Sequence, residues 1–166
     1  MISYKFPSPG LKMATTLGIF LTSMSLFSQT NVIKPNPTKA DTSEYAILIF
    51  DRSDSWLFEN AIPAILTSND IDLIKNILEK AVELYNKNIG SDAFAIRPLK
   101  YYKMQFVSVI NEKGEKKVWV NCLCHTSSKN LKKGILIVND GGNCFFNVKI
   151  NLTTKTFYQL AVNGDA

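Results

Sequence analysis

The sequence has little of what a disulfide-stapled scaffold or a common enzyme motif requires. Three cysteines among 166 residues are too few to staple a small domain by several bridges, so the fold has to rest on a hydrophobic core. With a single histidine, no helix carries a histidine pair for a metal ion, and no glycine-rich phosphate loop or Gly-x-Ser-x-Gly motif is present. The remaining composition, 46% hydrophobic and 20% charged, is that of one ordinary globular domain. These absences predict a protein without catalytic activity and without a cofactor.

An uncharged apolar stretch near the N-terminus, residues 13–27, follows two lysines. It is shorter than the about 20 residues of a membrane-spanning helix, but it has the length of the apolar part of a secretory signal peptide. Ser25 and Ser28 provide the small residues that precede a cleavage site. We therefore predict a signal peptide over residues 1–28 and a flexible tether over residues 29–43. The mature protein is expected in the periplasm or outside the cell, with no integral membrane segment.

One long helix is predicted over residues 69–88. Apolar residues recur there at steps of three and four, which places them on one stripe that another surface has to cover. Ser68 or Asn69 is expected to cap the start of the helix, and Gly90 to take a left-handed conformation after its end. The stripe consists of Ile71, Ile74, Leu78, Ala81, Val82, Tyr85 and Ile89.

Beyond Pro98 the hydrophobic residues alternate, which is typical of antiparallel strands. A hairpin is expected to place Phe106 opposite Val120, with Gly114 at the left-handed position of the turn. Because strands and helices do not alternate along the chain, the pattern gives no reason to expect parallel pairing. The predicted strands cover residues 45–50, 101–110, 116–124, 134–138, 143–152 and 157–162.

These elements predict a single α+β domain over residues 44–166, in which the helix packs on a curved antiparallel sheet of four to five strands. The element order resembles that of the cystatin-like superfamily, which includes the cone-shaped NTF2-like domains. The stretches 119–124 (WVNCLC), 140–147 (DGGNCFFN) and 163–166 (NGDA) are also similar to small exported bacterial proteins of unknown function. That second resemblance spans residues 44–166 and implies export, but it implies no activity.

Three cysteines and the histidine form the group with the most distinctive chemistry: Cys122, Cys124, His125 and Cys144. Three thiols and an imidazole are able to hold zinc, but in a continuous strand Cys122 and Cys124 point to one face and His125 to the other. The four converge only if the strand ends or bulges between them. In an oxidising compartment Cys144 is expected to bond to Cys124 or Cys122 if their strands are neighbours. A strand at residues 134–138 lying between them would instead leave three buried thiols.

The sheet face that points away from the helix is expected to be the contact surface. Aromatic rings among lysines on such a face suit a glycan or an acidic protein of the cell envelope. They also suit single-stranded nucleic acid, but export argues against that partner. The alternative is that residues 52–66 cover this face. The candidate contact residues are Tyr101, Lys103, Gln105, Trp119 and Asn121.

The function expected from the sequence is that of an exported, non-catalytic binding or interaction module whose ligand is unknown. Two alternatives stay open. Gln105 and Val107 match the Q-x-V part of the hairpin tip with which cystatins inhibit cysteine peptidases, although Val109 stands in the place of the glycine. The other alternative is a metal-binding or thiol protein that uses the three cysteines and the histidine.

Overall fold

The structure, a computed structural model, describes residues 44–90 and 94–164. The predicted signal peptide (residues 1–28) and tether (residues 29–43) lie outside the described residues. The fold is α+β, with one long helix and a six-stranded, mostly antiparallel sheet. Its elements are β1 (Tyr45–Leu48), β2 (Ile62–Pro63), α1 (Ser68–Asn88), β3 (Lys103–Ile110), β4 (Lys116–Leu123), α2 (Ser128–Leu131), β5 (Phe145–Asn151) and β6 (Thr156–Val162).

Helix α1 starts one residue earlier than predicted because Thr67, rather than Ser68 or Asn69, caps it. The Thr67 hydroxyl accepts a hydrogen bond from the backbone N–H of Asp70 (3.2 Å), and the Asp70 carboxylate accepts one from the backbone N–H of Thr67 (2.8 Å). This reciprocal pair satisfies two amides that the first turn leaves open. After the helix, Gly90 has the predicted positive φ of 69°.

The buried stripe of α1 packs on one face of the sheet and forms the main core. The predicted hairpin register is confirmed, since Met104 pairs with Cys122 and Phe106 pairs with Val120. Val120 in turn pairs with Val148 of β5, so the apolar side chains of three strands face the helix. Each fully buried aliphatic or aromatic side chain contributes about 1.5–3 kcal/mol. The helix residues in this core are Ile71, Ile74, Ile77, Leu78 and Val82.

Strand β1 runs parallel to β3, so the expectation of a purely antiparallel sheet is wrong for this pair. Tyr45 pairs with Met104, and Leu48 pairs with Val107. Because α1 lies in the connection and packs on the sheet, it carries the chain back to the end from which β1 started. The short strand β2 pairs antiparallel with the far end of β3 and brings the number of strands to six, one more than the predicted maximum.

The strand predicted at residues 134–138 is not formed. The segment from Leu131 to Leu136 lies instead on the sheet face opposite α1, where Leu131 and Leu136 pack with Leu123 and Phe145. Since no strand separates them, β4 and β5 pair directly. The sheet order is therefore β1-β3-β4-β5-β6, with β2 beside β1 on the edge of β3.

Two carboxamides of the sheet provide the hydrogen bonds that a neighbouring strand would otherwise give to this segment. Gln105 Nε2 donates to the backbone carbonyls of Leu131 (2.8 Å) and Gly134 (2.7 Å), and Gln105 Oε1 accepts from the N–H of Leu136 (2.9 Å). Asn121 Nδ2 donates to the carbonyl of Leu136 (2.8 Å) and to Gln105 Oε1 (3.1 Å). The backbone of an irregular segment is thus satisfied at a buried position.

Replacement of Gln105 by leucine tests this arrangement. Gln105→Leu leaves the polar groups of Leu131, Gly134 and Leu136 without their partner, and each unsatisfied buried group costs about 1–3 kcal/mol. We expect the free energy of unfolding in urea to fall by about 2–4 kcal/mol. The matched control, Asn76→Leu at an exposed amide of α1, should change it by less than about 0.5 kcal/mol. Equal stability of the two variants would contradict this role of Gln105.

Candidate functional site

The predicted contact surface is not a solvent-facing surface, because three of its five residues are buried. Gln105 is 0%, Trp119 4% and Asn121 7% exposed. The alternation of side chains along β3 and β4 correctly separated the two faces of the sheet. It did not show that the second face is also covered. The expectation that these three side chains contact a ligand directly is therefore corrected.

Trp119 lies under a cover formed by the loop between β1 and β2. Leu57 and Phe58 pack against it together with Phe50, and Trp56 meets it edge to face with ring centres 5.9 Å apart. Apart from Phe50, this cover lies within the alternative considered above, residues 52–66. It explains why an aromatic side chain on a predicted polar face is removed from water.

The two remaining candidates lie away from this cover. Tyr101 is exposed, with the amine of Lys100 at 5.2 Å from its ring centre. Lys103 is half-buried and its Nζ donates to Ser128 Oγ at 2.9 Å. The structure therefore does not bring the five predicted residues together on one accessible surface.

A pocket of about 430 Å³ opens instead where the loop before β2 meets the ends of β4, β5 and β6. We call it the Lys149 pocket. Aromatic side chains form part of its wall, together with amines, amides, Leu57 and the two carboxylates of Glu59 and Glu112. The lining includes Trp56, Phe58, Asn60, Lys117, Lys149 and Gln159.

Lys149 carries a positive charge that is only partly compensated in this pocket. Its Nζ lies 5.2 Å from the centre of the Phe58 ring, and none of the described carboxylates comes within 4.0 Å of it. Burial lowers the pKa of Lys149, and the nearby charge of Lys117 lowers it further, while Glu59 opposes the shift. Lys117 is paired, since its Nζ lies 3.4 Å from a carboxylate oxygen of Glu115. With Lys113 also in the lining, the pocket holds three amines against the two carboxylates of Glu59 and Glu112.

The backbone around the pocket is strained at two positions. Asn60 has φ 48° and Gln159 has φ 52°, and these are two of the three described non-glycine residues with positive φ. Gln159 lies in β6 opposite the irregularity where the pairing of β5 and β6 shifts between Asn147 and Lys149. Such conformations cost about 1–3 kcal/mol each and concentrate at binding sites.

A groove of about 810 Å³ between α1 and β6 is larger than the Lys149 pocket. Its walls include Glu79, Lys80 and Glu83, which belong to the ordinary solvent-facing side of an amphipathic helix. Lys155, which has a positive φ of 57°, also lines this groove, but no tryptophan does, and an exposed tryptophan beside an amine is what distinguishes the Lys149 pocket.

The cysteine and histidine group is partly assembled. Cys124 and Cys144 form a disulfide with their Cα atoms 5.0 Å apart, which is one of the two pairings considered from the sequence. The direct pairing of β4 with β5 makes it possible. Cys122 is a free thiol on the helix side of the sheet, where burial raises its pKa above the ordinary value. Neither the disulfide nor the buried Cys122 thiol provides a reactive thiolate.

The sequence predicted that His125 points away from the cysteines, but in the structure it points toward the disulfide. Strand β4 ends at Leu123, so the strict alternation of faces stops there, and the side chain of His125 comes within 4.8 Å of the sulfur atoms of Cys124 and Cys144. Among the described residues, the metal-capable group therefore contains three of the four predicted members. Cys122 is not part of it.

Comparison with known proteins gives no match, whether to a protein family, a curated protein or a solved structure. The resemblances to cystatin-like domains and to small exported proteins therefore stay predictions. No helix in residues 44–90 or 94–164 combines the length and apolarity that a bilayer span needs.

The sequence reasoning missed the Lys149 pocket, although part of the signal was present. Lys117 and Lys149 both lie at alternate positions that face away from the helix, and the direct pairing of β4 with β5 places them on one face. The direct pairing was not predicted, because a strand at residues 134–138 was expected to lie between β4 and β5. Nothing in the sequence marks the bulge at Gln159, because glutamine has no preference for positive φ.

Replacing Gln159 by glycine tests whether its backbone is strained. Gln159→Gly is expected to raise the free energy of unfolding by about 0.5–1 kcal/mol, since glycine adopts this conformation without a Cβ clash. The control, Ala161→Gly at an exposed position of the same strand, should lower it by a similar amount. Chemical denaturation of both variants gives the comparison. A loss of stability in both would show that Gln159 is unstrained.

Proposed function

We propose that this protein is an exported, non-catalytic binding module whose Lys149 pocket takes an acidic glycan of the cell envelope. The observation that carries the proposal is the combination, in one pocket, of the Lys149 amine, which no described carboxylate pairs, with an exposed tryptophan. The amine recognises a carboxylate, and the aromatic ring recognises the apolar face of a sugar.

Lys149 provides the positive charge for an acidic ligand. Its amine is held over the Phe58 ring, and burial disfavours its charged form. A ligand carboxylate would restore the stabilisation that the amine has lost by leaving water, through a charge-assisted hydrogen bond. Lys117 stands close enough to affect the pKa of Lys149, so it adds to the positive potential although Glu115 pairs with it.

Trp56 provides the aromatic surface for a sugar ring. Its side chain is 55% exposed, yet the ring is held in place by its edge-to-face contact with the buried Trp119. Covering an exposed indole with a sugar ring removes apolar surface from water, and a rigid indole loses little entropy on binding. The Trp119 Nε1 donates to Asn147 Oδ1 at 3.3 Å, which fixes the ring beneath.

Two observations speak for binding rather than catalysis or peptidase inhibition. None of the described residues that line the pocket is a serine, cysteine or histidine, so it offers no nucleophile paired with an imidazole base. Gln105 and Val107, which carry the likeness to the cystatin tip, are buried inside β3, whereas the tip of that hairpin is formed by Asn111 and Gly114.

The proposed export has support from chemistry as well as from the leader sequence. Disulfides persist in the periplasm and outside cells but are reduced in most cytosols, and Cys124 and Cys144 are bonded. The uncharged stretch at residues 13–27 fits a signal peptide, as argued above. Both features suit a protein that acts in the cell envelope.

Binding to defined oligosaccharides tests the proposal. Titration calorimetry with oligogalacturonate and with uncharged cello-oligosaccharides of the same length should show binding of the acidic series only, and weaker binding at higher salt. Lys149→Met and Trp56→Ala should each weaken it about tenfold or more, since one removes the charge and the other the stacking surface.

Lys80→Met, on the exposed side of α1, is the matched control and should leave the affinity unchanged. Lys149→Met removes a desolvated charge, so the folded protein should be at least as stable as the parent. The proposal fails if neither series binds, or if Lys149→Met binds as well as Lys80→Met.

A further inference from the structure

The disulfide and His125 lie in a geometry close to that of a metal site. The two sulfur atoms and the nearest imidazole nitrogen are all within 4.8 Å of one another. Ligands of a tetrahedral zinc ion, bound at about 2.3 Å through sulfur and about 2.0–2.1 Å through nitrogen, stand about 3.6–3.8 Å apart. In the bonded state the sulfur atoms are not thiolates and do not bind zinc.

The backbone holds the two cysteines together independently of their bond. Cys124 directly follows β4 and Cys144 directly precedes β5, and Leu123 and Phe145 at the adjoining strand ends are paired in the sheet. The N–H of Cys124 also donates to the carbonyl of Cys144 at 2.9 Å. With the Cα atoms at 5.0 Å, opening of the disulfide leaves two thiols side by side on an existing ladder.

We infer that reduction of this disulfide converts the Cys124, His125 and Cys144 group into a zinc site. A dithiol reductant supplies two electrons and two protons, and its own sulfur atoms join in a cyclic disulfide while the protein bond breaks to two thiols. Zinc then binds as the two thiol protons leave, with Cys124 and Cys144 as thiolate ligands and the neutral imidazole of His125 as the third.

The surroundings decide how many ligands the protein provides. No further described histidine, cysteine or carboxylate belongs to the group, so the fourth position is left to water. His125 is exposed and Cys124 is half-buried, which gives that water access. Cys122 lies in the core against α1 and contributes nothing. The site is therefore open and exists only in the reduced protein, independently of ligand binding in the Lys149 pocket.

Zinc titration of the purified full-length protein tests the inference. One sample is reduced with dithiothreitol and desalted without oxygen, and the other is kept oxidised; zinc is then measured by competition with a chromophoric chelator. The reduced protein should bind one zinc ion per chain and the oxidised protein none. Cobalt in place of zinc should give the sulfur-to-metal absorption of a thiolate site in the reduced protein only.

Single substitutions assign the ligands. Cys124→Ser and Cys144→Ser should abolish binding, and His125→Ala should weaken it about tenfold or more. Cys122→Ala should bind like the parent protein. Because His125 is exposed and Cys122 is buried, these two variants separate loss of a ligand from loss of fold. The inference is overturned if the reduced protein takes up no zinc, if the oxidised protein binds it equally, if Cys122→Ala loses it, or if Cys144→Ser retains it.

Discussion

The buried carboxamide of Gln105, together with that of Asn121, holds the segment that covers part of the second face of the sheet. Gln105 bonds the backbone of the segment from Leu131 to Leu136 through three contacts, and so keeps that segment on top of the sheet instead of inside it. Because the segment does not enter the sheet, β4 and β5 become neighbours. The disulfide between Cys124 and Cys144 and the position of His125 both depend on this neighbour relation.

The elements predicted most accurately from the sequence are those that are determined by residues close together in the chain. The stripe of α1 and the turn at Gly114 depend on residues a few positions apart, and both are found where they were expected. The parallel pairing of β1 and the covering position of residues 131–136 depend on partners far along the chain. A hydrophobic run such as Ile135 to Val138 looks the same whether its backbone bonds to a strand or to side-chain amides.

In the candidate site, too, features set by nearby residues were predicted and features set by distant residues were not. Alternation in β3 and β4 identified correctly which side chains point away from α1, but exposure depends on what the loop before β2 does, and that loop buries Trp119 with Leu57 and Phe58. The cysteine pairing stayed open between Cys122 and Cys124 because it follows from strand order. The metal-capable group was foreseeable only in part, since the end of β4 at Leu123 sets the direction of His125.

The parallel pairing also determines when β1 can form its hydrogen bonds with β3. All partners of β1 lie at residues 104–107, beyond the whole of α1, so β1 has no ladder until that part of the chain has been synthesised and has folded back. The entropy of closing this long connection has to be lost before the first β1 contact forms. The hairpin of β3 and β4 closes through a short turn and needs no such connection, so the edge that β1 joins is made of local contacts.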